Sequence, residues 1–254
     1  MPAMLPILLL VCAALAYLAF LRANLPRHRL FGRLGPRGSR LHRYRVAMAK
    51  SALFFAIPTL LALALLGRLE AVASFPSEFA AAAAWIGPLD TGLVLAASVC
   101  GLMGGTLLAG IVGLRRRRTG KRAFTFGDVD AILPRNRVEL AHTALLSLTA
   151  GVTEELFFRL LLPLLIALVT GSALLGFAVA TAMFGIAHLY QKWIGVIAAG
   201  VVGLVLAALY LATGTLWLAI LVHALLDIVA LVIRPAFTGA WRKREANEPT
   251  VLQR

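Results

Sequence analysis

The side chains of this chain that could carry out chemistry are a few ionisable groups inside apolar stretches of its C-terminal half. They are Glu154, Glu155, Arg159, His188, His223 and Asp227. Each such group costs roughly 2.5–3.5 kcal/mol or more at the centre of a membrane helix, so it usually faces the bundle interior and marks a functional site. Carboxylates and imidazoles often transfer protons near neutral pH, and the set therefore points to hydrolysis.

The first of these stretches, GVTEELFFRLLLP, contains two adjacent carboxylates and an arginine. On a helix, Glu155 and Arg159 are four residues apart on one face, so we predict that they form an ion pair. Glu154 points about 100° away from Glu155 and lacks that partner, which leaves its carboxylate available to face a cavity as a general base. The alternative interpretation is a structural ion-pair cluster of all three side chains that locks two helices together.

Two further stretches contribute histidines. In TAMFGIAHLYQKW, Phe184 and His188 are four residues apart, although a single histidine near a helix end is more often an interfacial residue than a catalytic one. In LVHALLDIV, His223 and Asp227 have the same spacing, so both could act on one water molecule, or the aspartate could orient the imidazole. A purely structural hydrogen bond is the alternative. Together, the three stretches contain the parts of a hydrolytic centre on three different helices.

The elements that position these groups follow from the composition. Of 254 residues, 61% are hydrophobic and 14% are charged, whereas soluble domains contain roughly 45–50% apolar and about 25% charged residues. This excludes a soluble globular domain and a disordered chain. Windows of about 20 apolar residues predict an all-α polytopic transmembrane bundle with about seven spans. We place these spans near 4–21, 50–67, 91–114, 140–168, 173–190, 194–213 and 216–233.

Membrane topology explains the charge of the chain. It has 25 Lys and Arg against 11 Asp and Glu, a net charge of +14, and the basic residues gather in 22–50, in 115–137 and after the last span. Cytoplasmic loops collect lysine and arginine, so seven spans place the N-terminus outside and the C-terminus in the cytoplasm. We therefore predict a multi-pass protein of the plasma (inner) membrane, with the lipid bilayer as a partner and no nucleic acid.

The three stretches resemble the CPBP family, the CAAX prenyl protease and bacteriocin-processing (ABI) group of intramembrane glutamic endopeptidases. The pattern of that family is EExxxR on one helix, FxxxH on a second, and HxxxN or HxxxD on a third. Here the motifs read Glu154, Glu155 and Arg159; Phe184 and His188; His223 and Asp227. The resemblance covers about 138–233 and implies peptide-bond hydrolysis in an intramembrane cavity formed by the C-terminal helices, with no metal ion or other cofactor.

The resemblance also implies a role for each residue. Glu154 activates the attacking water with help from His188, while His223 and Asp227 lie where the family stabilises the oxyanion. The remaining motif residues support the architecture: Glu155, Arg159 and Phe184. Many members have asparagine in place of Asp227. Because an ionised aspartate would repel an oxyanion, we expect Asp227 either to be protonated or to act through His223.

These interpretations divide the chain into an N-terminal membrane region (1–137), a catalytic bundle (138–233) and a basic cytoplasmic tail (234–254). The expected substrate is a peptide or membrane-associated protein, which could carry a lipid. Three alternatives stay open. The same residues could bind a metal ion, because Glu, His and Asp are also zinc ligands. They could form the relay of a proton-coupled transporter, or line the cavity of a non-catalytic immunity or scaffold protein.

Overall fold

The chain forms a bundle of helices in the computed structural model, which describes residues 4–24, 37–118 and 132–233. Within these ranges every regular element is a helix and no strand is present, so the predicted all-α class is confirmed. The helices are α1 (Met4–Asn24), α2 (Arg37–Ser51), α3 (Ile57–Leu65), α4 (Ala80–Ile86), α5 (Thr91–Arg118), α6 (Arg137–Glu155), α7 (Leu162–Thr170), α8 (Ala173–Ala187), α9 (Lys192–Thr213) and α10 (Leu216–Ile228). The predicted tail at 234–254 lies outside the described residues.

Among the residues that the structure describes, five helical stretches are long and apolar enough to cross a membrane. They cover Met4–Asn24, Arg40–Leu65, Thr91–Val112, Leu189–Thr213 and Leu216–Ile233. The predicted spans near 140–168 and 173–190 are not among them, so the count of seven is not confirmed. Helix α8 has 15 residues, about 22 Å of helix, which is shorter than a hydrocarbon core of about 30 Å. The stretch from α6 to α7 carries three charged residues at its centre, which lower its hydropathy.

The segment that contains the first motif is not a regular α-helix. The backbone between α6 and α7 is π-helical over Leu156–Leu161, and it is π-helical again over Ala52–Ala56 between α2 and α3. A proline follows two residues after each π segment, Pro163 in one case and Pro58 in the other. Proline lacks an amide hydrogen and its ring collides with the carbonyl four residues earlier. The wider π turn relieves this collision, and such bulges are frequent at functional sites.

The N-terminal helices pack directly against the π segment of the first motif. The ring of Phe55 lies 5.1 Å from that of Phe157 and 5.2 Å from that of Phe158, and all three are buried. From α1, Tyr17 places its ring 6.1 Å from Phe158, and its hydroxyl donates a 2.8 Å hydrogen bond to the Met183 carbonyl of α8. Aromatic pairs of this kind contribute about 0.5–1.5 kcal/mol each beyond their buried area. Helices α1 to α3 therefore help to fix the first motif.

Helices α6 and α10 cross at a contact between small residues. A Cβ atom on Gly151 would lie 3.0 Å from the Cβ of Ala224 and 3.1 Å from the Ala224 backbone nitrogen. Both distances are shorter than ordinary van der Waals contact, and the backbone of α10 cannot move aside without moving the helix. Glycine therefore allows the close approach of the two helices. This approach brings Glu155, at the end of α6, next to His223, the neighbour of Ala224.

We predict that Gly151→Ala lowers the free energy of unfolding by about 1–3 kcal/mol, because the new methyl group overpacks the α6–α10 crossing. SDS-induced unfolding in mixed micelles measures this change. The matched control is Gly104→Ala on α5, where nothing lies within 4 Å of the position of a Cβ. Alanine favours a helix over glycine by about 1 kcal/mol, so the control should be neutral or slightly stabilised. Equal effects of the two substitutions would show that the crossing tolerates a side chain.

Candidate active site

A buried network joins the first and third motifs. Glu155 Oε2 lies 3.0 Å from Arg159 Nε, and Glu155 Oε1 accepts a hydrogen bond of 2.7 Å from His223 Nδ1. The exposed fraction of the side chain is 0% for Glu155, 1% for Arg159 and 5% for His223. One carboxylate is thus shared by a guanidinium and an imidazole away from solvent. Such pairing offsets part of the large cost of burying charged groups.

The ring of Phe184 connects this network to the second motif. The Arg159 guanidinium carbon lies 4.4 Å from the ring centroid of Phe184, a cation–π contact. The ring of His223 approaches edge-on at 5.7 Å, and the ring of His188 lies at 4.8 Å. One buried phenyl ring therefore contacts a residue of each motif.

Helix α9 completes the surroundings of Arg159. The backbone carbonyl of Gly203 in α9 accepts a hydrogen bond of 3.3 Å from Arg159 Nη2. A Cβ atom on Gly203 would lie 2.9 Å from the Phe184 ring. The absence of a side chain at this position gives the guanidinium and the ring the space that they share.

Glu154 has different surroundings from its neighbour Glu155. Its side chain is partly exposed, but its Oε2 atom is buried and has no hydrogen-bond partner among the described residues. The carboxylate lies within electrostatic range of His223 and Asp227. Of the two adjacent glutamates, Glu155 has an ion pair with Arg159 at one oxygen and a hydrogen bond from His223 at the other, whereas Glu154 takes part in no ion pair among the described residues.

His188 ends α8 and uses one ring nitrogen for its own helix. Its Nδ1 lies 2.9 Å from the Phe184 carbonyl oxygen. Since a carbonyl only accepts hydrogen bonds, Nδ1 carries the proton, and Nε2 is the acceptor nitrogen of the neutral imidazole. The side chain is partly exposed, so Nε2 is accessible to water or to a group of a substrate.

The structure brings the motif residues together, with one change of partner. Glu155 and Arg159 form the expected ion pair. His223 Nε2 lies 4.0 Å from Asp227 Oδ2, which is beyond hydrogen-bond distance, whereas His223 Nδ1 is bound to Glu155. The imidazole is therefore oriented by Glu155 and not by Asp227. The sequence could not show this, because 68 residues separate the two partners.

Two buried polar contacts outside the predicted set connect α2 to the same region. Ser51 Oγ lies 2.6 Å from Thr153 Oγ1, directly before the first motif. Arg40 Nε donates a 3.0 Å hydrogen bond to Glu139 Oε2 at the start of α6. The Asn136 side chain caps that helix by accepting from the Glu139 backbone N–H. The Asn-x-x-Glu spacing is a sequence signal for a helix start. No sequence pattern indicates the contact of Ser51 with Thr153 or that of Arg40 with Glu139.

The residue types of the three motifs are also those that bind zinc. A catalytic zinc ion usually takes three protein ligands and keeps a position for water. Among the residues that the structure describes, no group of three or more His, Cys, Asp or Glu side chains is close enough to hold a metal ion. His223 and Glu155, both of residue types that bind zinc, are bound to each other.

Comparison with known families matches the same part of the chain. Residues 136–229 match the family model described as Type II CAAX prenyl endopeptidase Rce1-like. The predicted CPBP resemblance is confirmed. The match begins at the cap of α6, contains all three motifs, and supports a CAAX-protease-like membrane endopeptidase. Because five helices within the described ranges are apolar and long enough to span a bilayer, the chain is an integral membrane protein.

The CPBP segment accounts for α6 to α10, and helices α1 to α5 precede it. Their contacts show that the segment does not form its site alone. The rings of Tyr17 in α1 and of Phe55 in the π-helical segment Ala52–Ala56 pack on the first motif. Neither the curated proteins nor the solved structures compared with the chain gave a match.

Proposed function

We propose that the protein is an intramembrane glutamic endopeptidase, which hydrolyses a peptide bond of a membrane-associated substrate with a water molecule activated by Glu154. The observation that carries this proposal is the buried carboxylate oxygen of Glu154, which has no partner among the described residues. Leaving a buried acceptor unpaired costs about 1–3 kcal/mol, or more for a charged group. A bound water molecule satisfies this acceptor and is the nucleophile that hydrolysis requires.

Glu154 acts as the general base in the first step. It accepts one proton of the bound water, while His188 Nε2 accepts a hydrogen bond from the other hydrogen and so orients the water. This role of Nε2 is supported by the bond between His188 Nδ1 and the Phe184 carbonyl, which fixes the tautomer. The resulting hydroxide attacks the carbonyl carbon of the scissile bond. A positioned base contributes about 10²- to 10⁴-fold to the rate.

His223 stabilises the oxyanion that forms. Its Nδ1 donates to Glu155, so an imidazolium at this position presents its second N–H on the side of Asp227. The separation of 4.0 Å between His223 Nε2 and Asp227 Oδ2 leaves this N–H free of a short bond to the aspartate. Asp227 then acts through His223, by compensating its charge, and does not donate to the oxyanion. Donors aimed at a developing charge are often the largest contribution to catalysis.

Glu155 and Arg159 are positioning residues in this mechanism. Arg159 neutralises Glu155, and Glu155 holds the imidazole of His223 in place. When the tetrahedral intermediate collapses, protonated Glu154 returns its proton to the leaving nitrogen as the C–N bond breaks. The products are a carboxylic acid and an amine, and Glu154 regains its starting form.

We also propose that the site opens towards the cytoplasm, with the N-terminus outside and the C-terminus inside the plasma (inner) membrane. Lys50 of the basic helix α2 donates a 3.1 Å hydrogen bond to the Ala23 carbonyl at the end of α1. Leu21 of α1 and Leu189, next to His188, line one small pocket at the same end. Basic segments favour the cytoplasmic side, which supports this orientation. A substrate that carries a lipid next to its cleavage site would reach such an opening along the membrane.

Cleavage by the purified protein in liposomes tests the proposal. The substrates are two internally quenched peptides of identical sequence, one with a farnesylated cysteine four residues from its C-terminus and one with an unmodified cysteine. We expect cleavage of at least one of them, at a bond that mass spectrometry identifies. We predict that activity persists after exhaustive treatment with a metal chelator, because the water is activated by Glu154. Loss of activity that added zinc restores would favour the metal-dependent alternative.

A further inference from the structure

An aromatic residue outside the three motifs borders the candidate site. Tyr190 follows His188 by two residues, in the 3₁₀ turn Leu189–Gln191. Its ring lies 5.9 Å from the ring of His188, at an interplanar angle of 30°, and the residue is 41% exposed. Its hydroxyl is within electrostatic range of the carboxylates of Glu154 and Asp227. The ring contact therefore places Tyr190 beside His188, at the edge of the candidate site.

The hydroxyl of Tyr190 keeps its hydrogen available for donation. Gln191 Nε2 donates a 2.9 Å hydrogen bond to the phenolic oxygen, so the oxygen acts as acceptor in this contact. Among the described residues, none accepts the hydrogen of the hydroxyl. The next residue in the chain, Lys192, has a φ of +67°. Positive φ is uncommon for residues other than glycine, and such positions cluster at functional sites.

In the proposed mechanism, His223 supplies only one hydrogen-bond donor to the oxyanion. A carboxylate only accepts hydrogen bonds, so an ionised Asp227 supplies none. One N–H of His223 is used by Glu155, which leaves a single N–H for the oxyanion. Oxyanion holes usually combine several backbone or side-chain donors. A phenolic hydroxyl beside His188 can supply the second donor.

We propose that Tyr190 is a further catalytic residue, which donates its phenolic hydrogen bond to the oxyanion of the tetrahedral intermediate. This inference rests on the proposed function. No proton leaves Tyr190 during the reaction: its O–H forms a hydrogen bond to the former carbonyl oxygen as the water attacks and releases it when the C–N bond breaks. The proton of the water still moves through Glu154 to the leaving amine.

The test compares Tyr190→Phe with the wild-type protein on the quenched peptide that the wild type cleaves. We expect kcat to fall about 10²-fold, as for the removal of one oxyanion donor, with KM unchanged within about twofold. The matched control is Tyr210→Phe. Tyr210 is fully buried in α9, its hydroxyl has no hydrogen-bond partner among the described residues, and its ring packs on Phe75 and Phe79. We expect this variant to keep the wild-type kcat and KM.

Each result separates this inference from the proposed function. An inactive Glu154→Gln together with a wild-type kcat in Tyr190→Phe overturns the role of Tyr190 alone. A change confined to KM also overturns it, because a residue that only contacts the bound substrate affects binding and not the chemical step. Normal cleavage by Glu154→Gln contradicts the proposed function, and the role of Tyr190 falls with it.

A second variant keeps the phenol and changes only its orientation. Gln191→Leu removes the donor that holds the phenolic oxygen. We expect a fall in kcat of about tenfold with KM unchanged, a smaller loss than in Tyr190→Phe. If Tyr190→Phe gives little folded protein, this variant decides the question, and a wild-type kcat in it overturns the proposal.

Discussion

Glu154→Gln is expected to lower kcat for peptide cleavage by about 10²- to 10⁴-fold, because the amide has nearly the same shape but cannot accept a proton from water. The yield of folded protein should not change. Glu154 takes part in no ion pair among the described residues, and its Oε2 atom has no partner to lose. Initial rates in liposomes with the quenched peptides, together with size-exclusion profiles in detergent, measure the two quantities.

Glu70→Gln is the matched control for this experiment. Glu70 lies in the connection between α3 and α4, and its side chain is 62% exposed and 3.5 Å from Arg68. We expect wild-type cleavage from this variant. Normal cleavage by Glu154→Gln would disprove the mechanism. Because the inactive variant should still bind substrate, crosslinking in membranes followed by mass spectrometry can also identify what the protein cleaves.

Arg159→Met is expected to lower the free energy of unfolding by about 3–5 kcal/mol, the usual effect of removing one partner from a buried ion pair. Methionine fills much of the volume of the arginine but leaves Glu155 as a buried carboxylate that is held only by His223. The substitution also removes the contact with the Phe184 ring and the hydrogen bond to Gly203. SDS-induced unfolding in mixed micelles measures the loss.

Arg68→Met provides the comparison, because it breaks an ion pair at the protein surface. Arg68 Nη1 lies 2.9 Å from Glu78 Oε1, with exposed side-chain fractions of 30% and 22%. The hydrogen bond from Arg68 holds the pKa of the Glu78 carboxyl below its usual range. Because both side chains are partly exposed to solvent, we expect a smaller loss of stability than in Arg159→Met, about 1 kcal/mol. A loss of less than 1 kcal/mol in Arg159→Met would show that Glu155 is not held by the guanidinium. The double variant Glu155→Gln/Arg159→Met should recover part of the stability, since it removes both charges.

The candidate site shows which side-chain partners can be predicted from the spacing of residues along one helix. The pair of Glu155 and Arg159 is four residues apart on one helix and could be predicted. The same spacing between His223 and Asp227 suggested that the aspartate orients the imidazole, but Glu155 has that role. Spacing along one helix describes only the partners on that helix. A residue on a neighbouring helix becomes the partner when packing brings it closer. Here the contact between Gly151 and Ala224 brings Glu155 close to His223.

The number of membrane spans illustrates a different limit. Composition is sufficient to predict a helical membrane protein, because a chain with so few charges can be solvated only by lipid and must satisfy its backbone by helices or a closed barrel. Whether each apolar window crosses the membrane depends on length, charge and tilt. In the part of the chain that the structure describes, five stretches meet the criteria of length and hydropathy. The short helix α8 and the π-interrupted stretch from α6 to α7 do not.

The class of the protein and its motif residues could be predicted from the amino-acid sequence, because a charged residue is costly to place in lipid and therefore stands out in an apolar stretch. The tertiary structure shows that Glu155 is held by an ion pair and a hydrogen bond, whereas Glu154 takes part in no ion pair among the described residues. It also decided that Tyr190 and helices α1 to α3 border the site, through ring contacts and hydrogen bonds between distant parts of the chain. Those contacts arise from close packing, which depends on how several helices fit together and not on the order of residues within any one of them.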